Sequence, residues 1–167
     1  MVTIEGVRGN KLIFTVPLPD REPVFMVAEL SPIYGVIVVD AEKLHKLWKN
    51  EPNSIHGEQS HGNSDSWKND RKYVYADVGF SAGYDNPVPL PEVGYWADYP
   101  CISFVDGVTR TIWLLSKGCK SFPIMCEIEN AQELHKVVSV FGTELITCNN
   151  QMTGVEEDSA SILLRGK

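Results

Sequence analysis

Residues 104–113 read Phe104-Val105-Asp106-Gly107-Val108-Thr109-Arg110-Thr111-Ile112-Trp113, and the local order of structure turns over inside them. Cys101 to Val105 is an apolar, β-branched run of strand length, and Asp106-Gly107 ends it with the two residue types best suited to a turn. Val108 to Lys117 then carries Ile112, Leu114 and Leu115 beside Trp113, with Gly118 where a helix C-terminus is expected. The result is strand, turn, helix. Thr109 and Arg110 fall in the first helical turn, where free backbone amides, the positive end of the helix dipole and a guanidinium fork converge in a way that suits an anion such as phosphate. Gly107 supplies close approach or a positive φ. The same spacing is equally that of a surface arginine paired with Asp106 or Glu92, and the residues alone leave both readings open.

Outward from that turn, Lys120 to Cys126 returns as a strand, and Asn130 with Glu133 three residues on predicts a capped helix over Ala131 to Phe141, stopped by Gly142. The tail from Asn149 to Lys167 is polar apart from Ile162-Leu163-Leu164 and is expected to be partly ordered or frayed. On the N-terminal side, Pro87, Pro89 and Pro91 lack amide hydrogens, so Asn86 to Pro91 is expected as an extended segment on a sheet edge or over a cleft. Tyr73 to Phe80 alternates weakly and reads as a short strand. Glu51 to Arg71 is rich in Asn, Ser, Gly, His and charge, which predicts a long loop. Asp40 caps an amphipathic helix over Ala41 to Asn50 that buries Leu44, Leu47 and Trp48, and Pro52 marks its end. Lys11 to Val16, Pro23 to Leu30 and Tyr34 to Val39 read as three strands.

With 167 residues, 43% hydrophobic and 22% charged, the chain has the balance of one globular domain, long enough to bury about 70% of its unfolded surface. No composition shift divides it. The expected order is strands, a helix and a polar loop over 1–72, a core over 73–126, and a helix with a tail over 127–167. Neither a signal-like N-terminus nor an apolar run of spanning length is visible, so a cytoplasmic location is expected. Cys101, Cys119, Cys126 and Cys148 are too widely spaced for a zinc or redox motif and read as reduced, mostly buried thiols. A net charge of −7 argues against wrapping duplex DNA, which demands a concentrated Lys/Arg surface. Lys43 to Lys49 and Lys68 to Lys72 are the densest basic segments, each interleaved with acids. His56 and His61 with Glu58 and Asp65 form no compact metal motif and read as a solvated loop. Among the tryptophans, Trp113 reads as core, and Trp67 and Trp96, set among loop residues, read as exposed aromatics suited to binding.

Asp106-Gly107-Val108-Thr109-Arg110, then Leu114 to Lys120, then Phe122-Pro123-Ile124 resemble the ParB/sulfiredoxin signature of Asp-Gly-x-x-Arg, helix, Gly-Ala-Lys and Ile-Pro-Val. Upstream, Asn86-Pro87-Val88-Pro89-Leu90-Pro91-Glu92-Val93 resembles that superfamily's second box. The fuller pattern, with Arg110-Thr111-Ile112-Trp113-Leu114-Leu115, is similar to plasmid fertility-inhibition factors of the Osa and FiwA kind. The resemblance runs from about Tyr73 to Cys126, roughly a third of the chain. It implies an α+β fold, a small mixed sheet flanked by about three helices, with the Asn86 segment and the Gly107 turn each forming one wall of a cleft. It further implies that Gly107 and Arg110, with Thr109 beside them, meet nucleotide phosphates and that Asn86, Pro87, Val88 and Leu90 line the pocket, with ATP and Mg2+ as the cofactors. Glu92 and Asp106 are the carboxylates placed to hold a divalent metal or orient a water, making Glu92, Asp106 and Arg110 the catalytic candidates if the protein is an enzyme; they equally serve to balance Arg110 and Lys120. The metal ligands are not specified. Val108 stands where sulfiredoxins carry their catalytic cysteine, so that chemistry is disfavoured.

The resemblance implies a protein of one plasmid that blocks conjugative export of another. Its partner would be the coupling ATPase or a relaxosome component of a type IV secretion system, or DNA itself. One reading is inhibition through protein interaction, which the acidic balance favours. The other is a Mg-dependent ATPase/DNase that degrades the transferred strand, which requires a basic path that only short mixed-charge segments offer.

Overall fold

The structure is a computed structural model, and it describes residues 1–52 and 56–149. The polar tail with Ile162 to Leu164 lies outside the described residues. Four strands open the chain, β1 (Thr3–Arg8), β2 (Lys11–Leu18), β3 (Arg21–Glu29) and β4 (Tyr34–Asp40), followed by helices α1 (Ala41–Trp48), α2 (Gly57–Ser60), α3 (Ser64–Lys68) and α4 (Tyr73–Ser81). Then come β5 (Val88–Pro89), β6 (Glu92–Trp96), β7 (Cys101–Asp106), α5 (Val108–Ser116), β8 (Ser121–Glu127) and α6 (Ile128–Val138). The fold is α+β, as expected. Its sheet is not single, however: the described residues form two four-stranded sheets, ordered β1-β2-β3-β5 and β4-β8-β6-β7, with six helices instead of about three.

Both sheets are mixed. In the first, β3 alternates buried Val24, Met26 and Ala28 with more open positions, the period-2 pattern of a sheet with one covered face. β5 joins its edge in parallel, pairing Met26 with Val88. In the second, β4 is buried continuously from Gly35 to Val39, so both of its faces are covered. Its outer edge is covered too, because Ile146 exchanges two backbone hydrogen bonds with Val36 (2.8 and 2.9 Å) and the Val140 amide donates to Val38. Covering an apolar edge removes a template for intermolecular pairing.

Asp40 caps α1 as its sequence predicts, accepting from the amides of Glu42 (3.0 Å) and Lys43 (3.1 Å), and Leu44, Leu47 and Trp48 are buried. Several expectations are corrected. Thr3–Arg8 adds a strand that the sequence reading passed over, and Glu92–Trp96 another. Tyr73 to Phe80 is a helix, not a strand. Its β-prone residues are overridden by tertiary contacts: Phe80 stacks on Trp113 with centroids 4.3 Å apart, and the Asp77 carboxylate accepts from Trp113 Nε1 at 3.0 Å. The Glu51 to Arg71 segment is not a structureless loop, since it holds α2 and α3, the latter closed by an Asn63–Ser66 capping box. Trp67 is accordingly buried, donating to the Gln59 carbonyl at 2.8 Å and meeting His45 edge-on, while Trp96 is exposed as expected. The Asn130–Glu133 cap does not form either. α6 starts earlier, at Ile128, has no side-chain cap, and leaves Glu133 to pair with Lys136.

Candidate functional site

Gly107 holds φ at +93°, and a Cβ there would stand 2.7 Å from Pro91 Cα. Only glycine therefore allows the proline segment to pass so close to the turn. That segment uses its carbonyls, since its prolines have no amide hydrogens to offer. Pro91 O accepts from the Met125 amide of β8 (2.8 Å), while the Leu90 amide donates to Val27 O of β3 (3.1 Å). Residues 88–91 thus tie one sheet to the other.

Arg110 locks this arrangement. Its Nη1 donates to Pro89 O (2.8 Å) and Leu90 O (3.2 Å), and its Nη2 pairs with Asp106 Oδ2 (2.5 Å). The Arg110 side chain is 18% exposed, and these partners account for much of its donor capacity. The hydrogen bond from Arg110 holds the Asp106 carboxyl below its ordinary range, in spite of partial burial that acts the other way. Thr111, fully buried, turns its hydroxyl to the Gly107 carbonyl at 3.0 Å and closes the first turn of α5.

Beside the turn lies a cleft of about 580 Å3. Asp106, Gly107, Thr109 and Arg110 line it, joined by Arg71 and Lys72 from the polar segment. Asn86, Pro87, Val88 and Leu90 do not line it, and Val88 and Leu90 are buried. Glu92 is also elsewhere. It sits opposite Asp106 across β6 and β7, hydrogen-bonded to the Tyr34 phenol, whose pKa is raised by that contact. Arg71 and Lys72 are residues that motif reading did not assign to the site, although Lys68 to Lys72 is one of the two basic segments visible in the sequence.

Arg71, Lys72 and the N-terminus of α5 are the parts of this cleft whose chemistry favours an anion, the charge of Arg110 being already paired with Asp106. A divalent metal fits it less well. Asp106 is paired to Arg110, and Asp70 accepts from Gln59 Nε2 and from the Lys72 amide, so both cleft carboxylates are already engaged. Among the described residues no three His, Cys, Asp or Glu side chains come together as a ligand set, the His56–Asp65 segment included. Cys119 and Cys126 are buried thiols, pushed up by burial to about 11 and about 12, which suits structural residues.

A two-sheet α+β protein, its sheets joined through a proline segment clamped by one arginine, is the class that fold and site define. The chain belongs to the plasmid fertility inhibition factor family, whose model matches residues 36–139. It is similar to Protein osa of Shigella flexneri, with 28% identity over 127 residues, 72% of this chain and 64% of that protein, so it spans less than two thirds of that relative. Its fold is that of the crystal structure of Oncogenic Suppression Activity Protein, a plasmid fertility inhibition factor solved as a gold(I) cyanide derivative. There the TM-score is 0.78 at 23% identity, covering 93% of this chain and 84% of the other.

Proposed function

We propose that the protein inhibits conjugative DNA transfer by binding the coupling ATPase, or a relaxosome component, of a type IV secretion system. The observation that carries this reading is the inward engagement of Arg110 on Asp106, Pro89 and Leu90. The residue placed to meet a phosphate serves instead as a structural clamp, which suits a protein that works through its surface. The acidic balance supports the same reading, since a nuclease needs a basic path for its strand.

A second reading, a Mg-dependent ATPase/DNase acting on the transferred DNA, is favoured by one feature. Arg71, Lys72 and the start of α5 face the cleft together. Conjugation tests decide between the two. Donor cells carrying a conjugative plasmid and expressing the wild-type chain or an Arg71→Ala/Lys72→Ala variant are scored for transfer frequency, and the purified proteins for Mg-dependent hydrolysis of ATP and DNA. Retained inhibition in the variant, with the coupling ATPase or a relaxosome component co-purifying, is the expected result. A wild type that hydrolyses either substrate, and a variant that loses hydrolysis and inhibition together, would overturn it.

A further inference from the structure

A groove of about 420 Å3 opens between the residues just after α1 and the β6–β7 hairpin. Trp96 and Tyr99 form its aromatic walls and are 54% and 60% exposed. Single exposed apolar residues are ordinary, but two aromatic rings lining one groove with a polar rim are a mark of an interaction site. The six-membered ring of Trp96 lies against Gly94, where an added Cβ would stand 3.2 Å from Cη2 and make the indole give by a few tenths of an ångström.

Charge decides what fits. Glu51 and Asp98 line the groove, and among the described residues no lysine or arginine does. The Glu51 carboxylate is fixed by two donors, Ser103 Oγ (2.6 Å) and Trp48 Nε1 (3.0 Å), so it presents a set position and not a mobile chain. The rim is fixed as well, since Asn50 Nδ2 donates to Pro100 O at 3.1 Å, tying the end of α1 to the hairpin loop. Two aromatic surfaces and two carboxylates on a firm frame make a receptor for a planar cation. A guanidinium stacks on aromatic rings and offers a fork of donors to a carboxylate, and it gives up its water more readily than an ammonium.

We infer that this groove docks an arginine side chain of a partner protein, stacked on Trp96 and Tyr99 and paired with Asp98. This deepens the interaction reading given above and rests on it for the partner's place in the transfer machinery. The docking chemistry is tested separately from transfer.

The test uses the full chain and the blocked peptide acetyl-Ser-Gly-Ser-Arg-Gly-Ser-Gly-amide, with counterparts carrying citrulline or lysine in place of arginine. Tryptophan fluorescence is the readout, because Trp48, Trp67 and Trp113 are buried and Trp96 is the one that meets solvent. Saturable binding of the arginine peptide is expected, with citrulline and lysine at least about fivefold weaker. Tyr99→Ala and Asp98→Asn should each weaken the arginine peptide several-fold. The proposal is overturned by an absence of saturable binding, by citrulline or lysine binding as well as arginine, or by both variants binding like the wild type. None of these outcomes depends on transfer frequency, so loss of the groove and loss of the interaction reading are told apart.

Discussion

At Gly107 two requirements coincide, a left-handed φ of +93° and an approach of Pro91 too close for any Cβ. Gly107→Ala is expected to destabilise the protein by roughly 2–4 kcal/mol, combining backbone strain with a steric clash, read from urea unfolding midpoints. A loss under about 0.5 kcal/mol would show that the proline segment moves aside freely. Asp106 makes a pH prediction. Its folded pKa is depressed by Arg110, so its contribution is present above the unfolded value and is lost as pH falls through the folded one. Wild-type stability should therefore fall more steeply below about pH 4 than that of Asp106→Asn, measured by thermal unfolding across pH. Asp106 is largely exposed, which keeps the difference small. Parallel curves would mean that the ion pair contributes nothing measurable. The Gly-x-x-Arg spacing in the sequence located the strand–turn–helix and put Arg110 in the first turn of α5. It could not show the direction of the guanidinium, because the acceptors Pro89 O and Leu90 O are backbone atoms 21 and 20 residues away, identical in any sequence.

Among the elements, α4 is the one that local propensity misreads. Tyr73, Val74, Tyr75, Val78 and Phe80 favour strand by type, yet the segment is a helix with Ala76 and Phe80 buried and Val74, Tyr75 and Val78 exposed. Helical geometry is what brings Phe80 onto the Trp113 ring and the Asp77 carboxylate to its Nε1. Phe80→Ala should cost about 3–5 kcal/mol through the lost stack and the cavity left behind, whereas Tyr75→Ala on the open face should stay within about 0.5 kcal/mol. Chemical denaturation of both variants checks this, and equal losses would place Tyr75 in a packed interface. α1 behaves in the opposite way. Its cap, its apolar face and its stop are all local signals, so Asp40, Leu44, Leu47 and Trp48 are assigned correctly from sequence. α6 shows the limit of such signals, since an Asn–x–x–Glu pattern is only a cap when the chain enters the helix there. Here the chain enters three residues earlier, directly from β8, with the Ile128 amide donating to Ile33 O at 2.8 Å.

For the molecule as a whole, the second sheet depends on the segment after α6 to cover β4. Ile146, 3% exposed, should tolerate no charge, and Ile146→Asp is expected to lower stability by several kcal/mol and to promote self-association through the uncovered Val36–Val39 edge. Light scattering and unfolding together test it, and a stable monomeric variant would show that the edge is protected otherwise. No helix among the described residues is long and apolar enough to cross a membrane. By itself the sequence determined the α+β class, the strand–turn–helix at Gly107 and the helix after Asp40, because each rests on periodicity and on residues whose backbone preferences act within a few positions. It also carried the family resemblance, on the Asn86–Val93 and Asp106–Arg110 boxes. Only the tertiary structure decided that there are two sheets, that Trp67 is core, that Arg71 and Lys72 reach the Gly107 cleft, and that Arg110 turns inward. Each of these depends on pairings between residues far apart in the chain, where backbone donors and acceptors are common to every residue and burial is settled by what packs above.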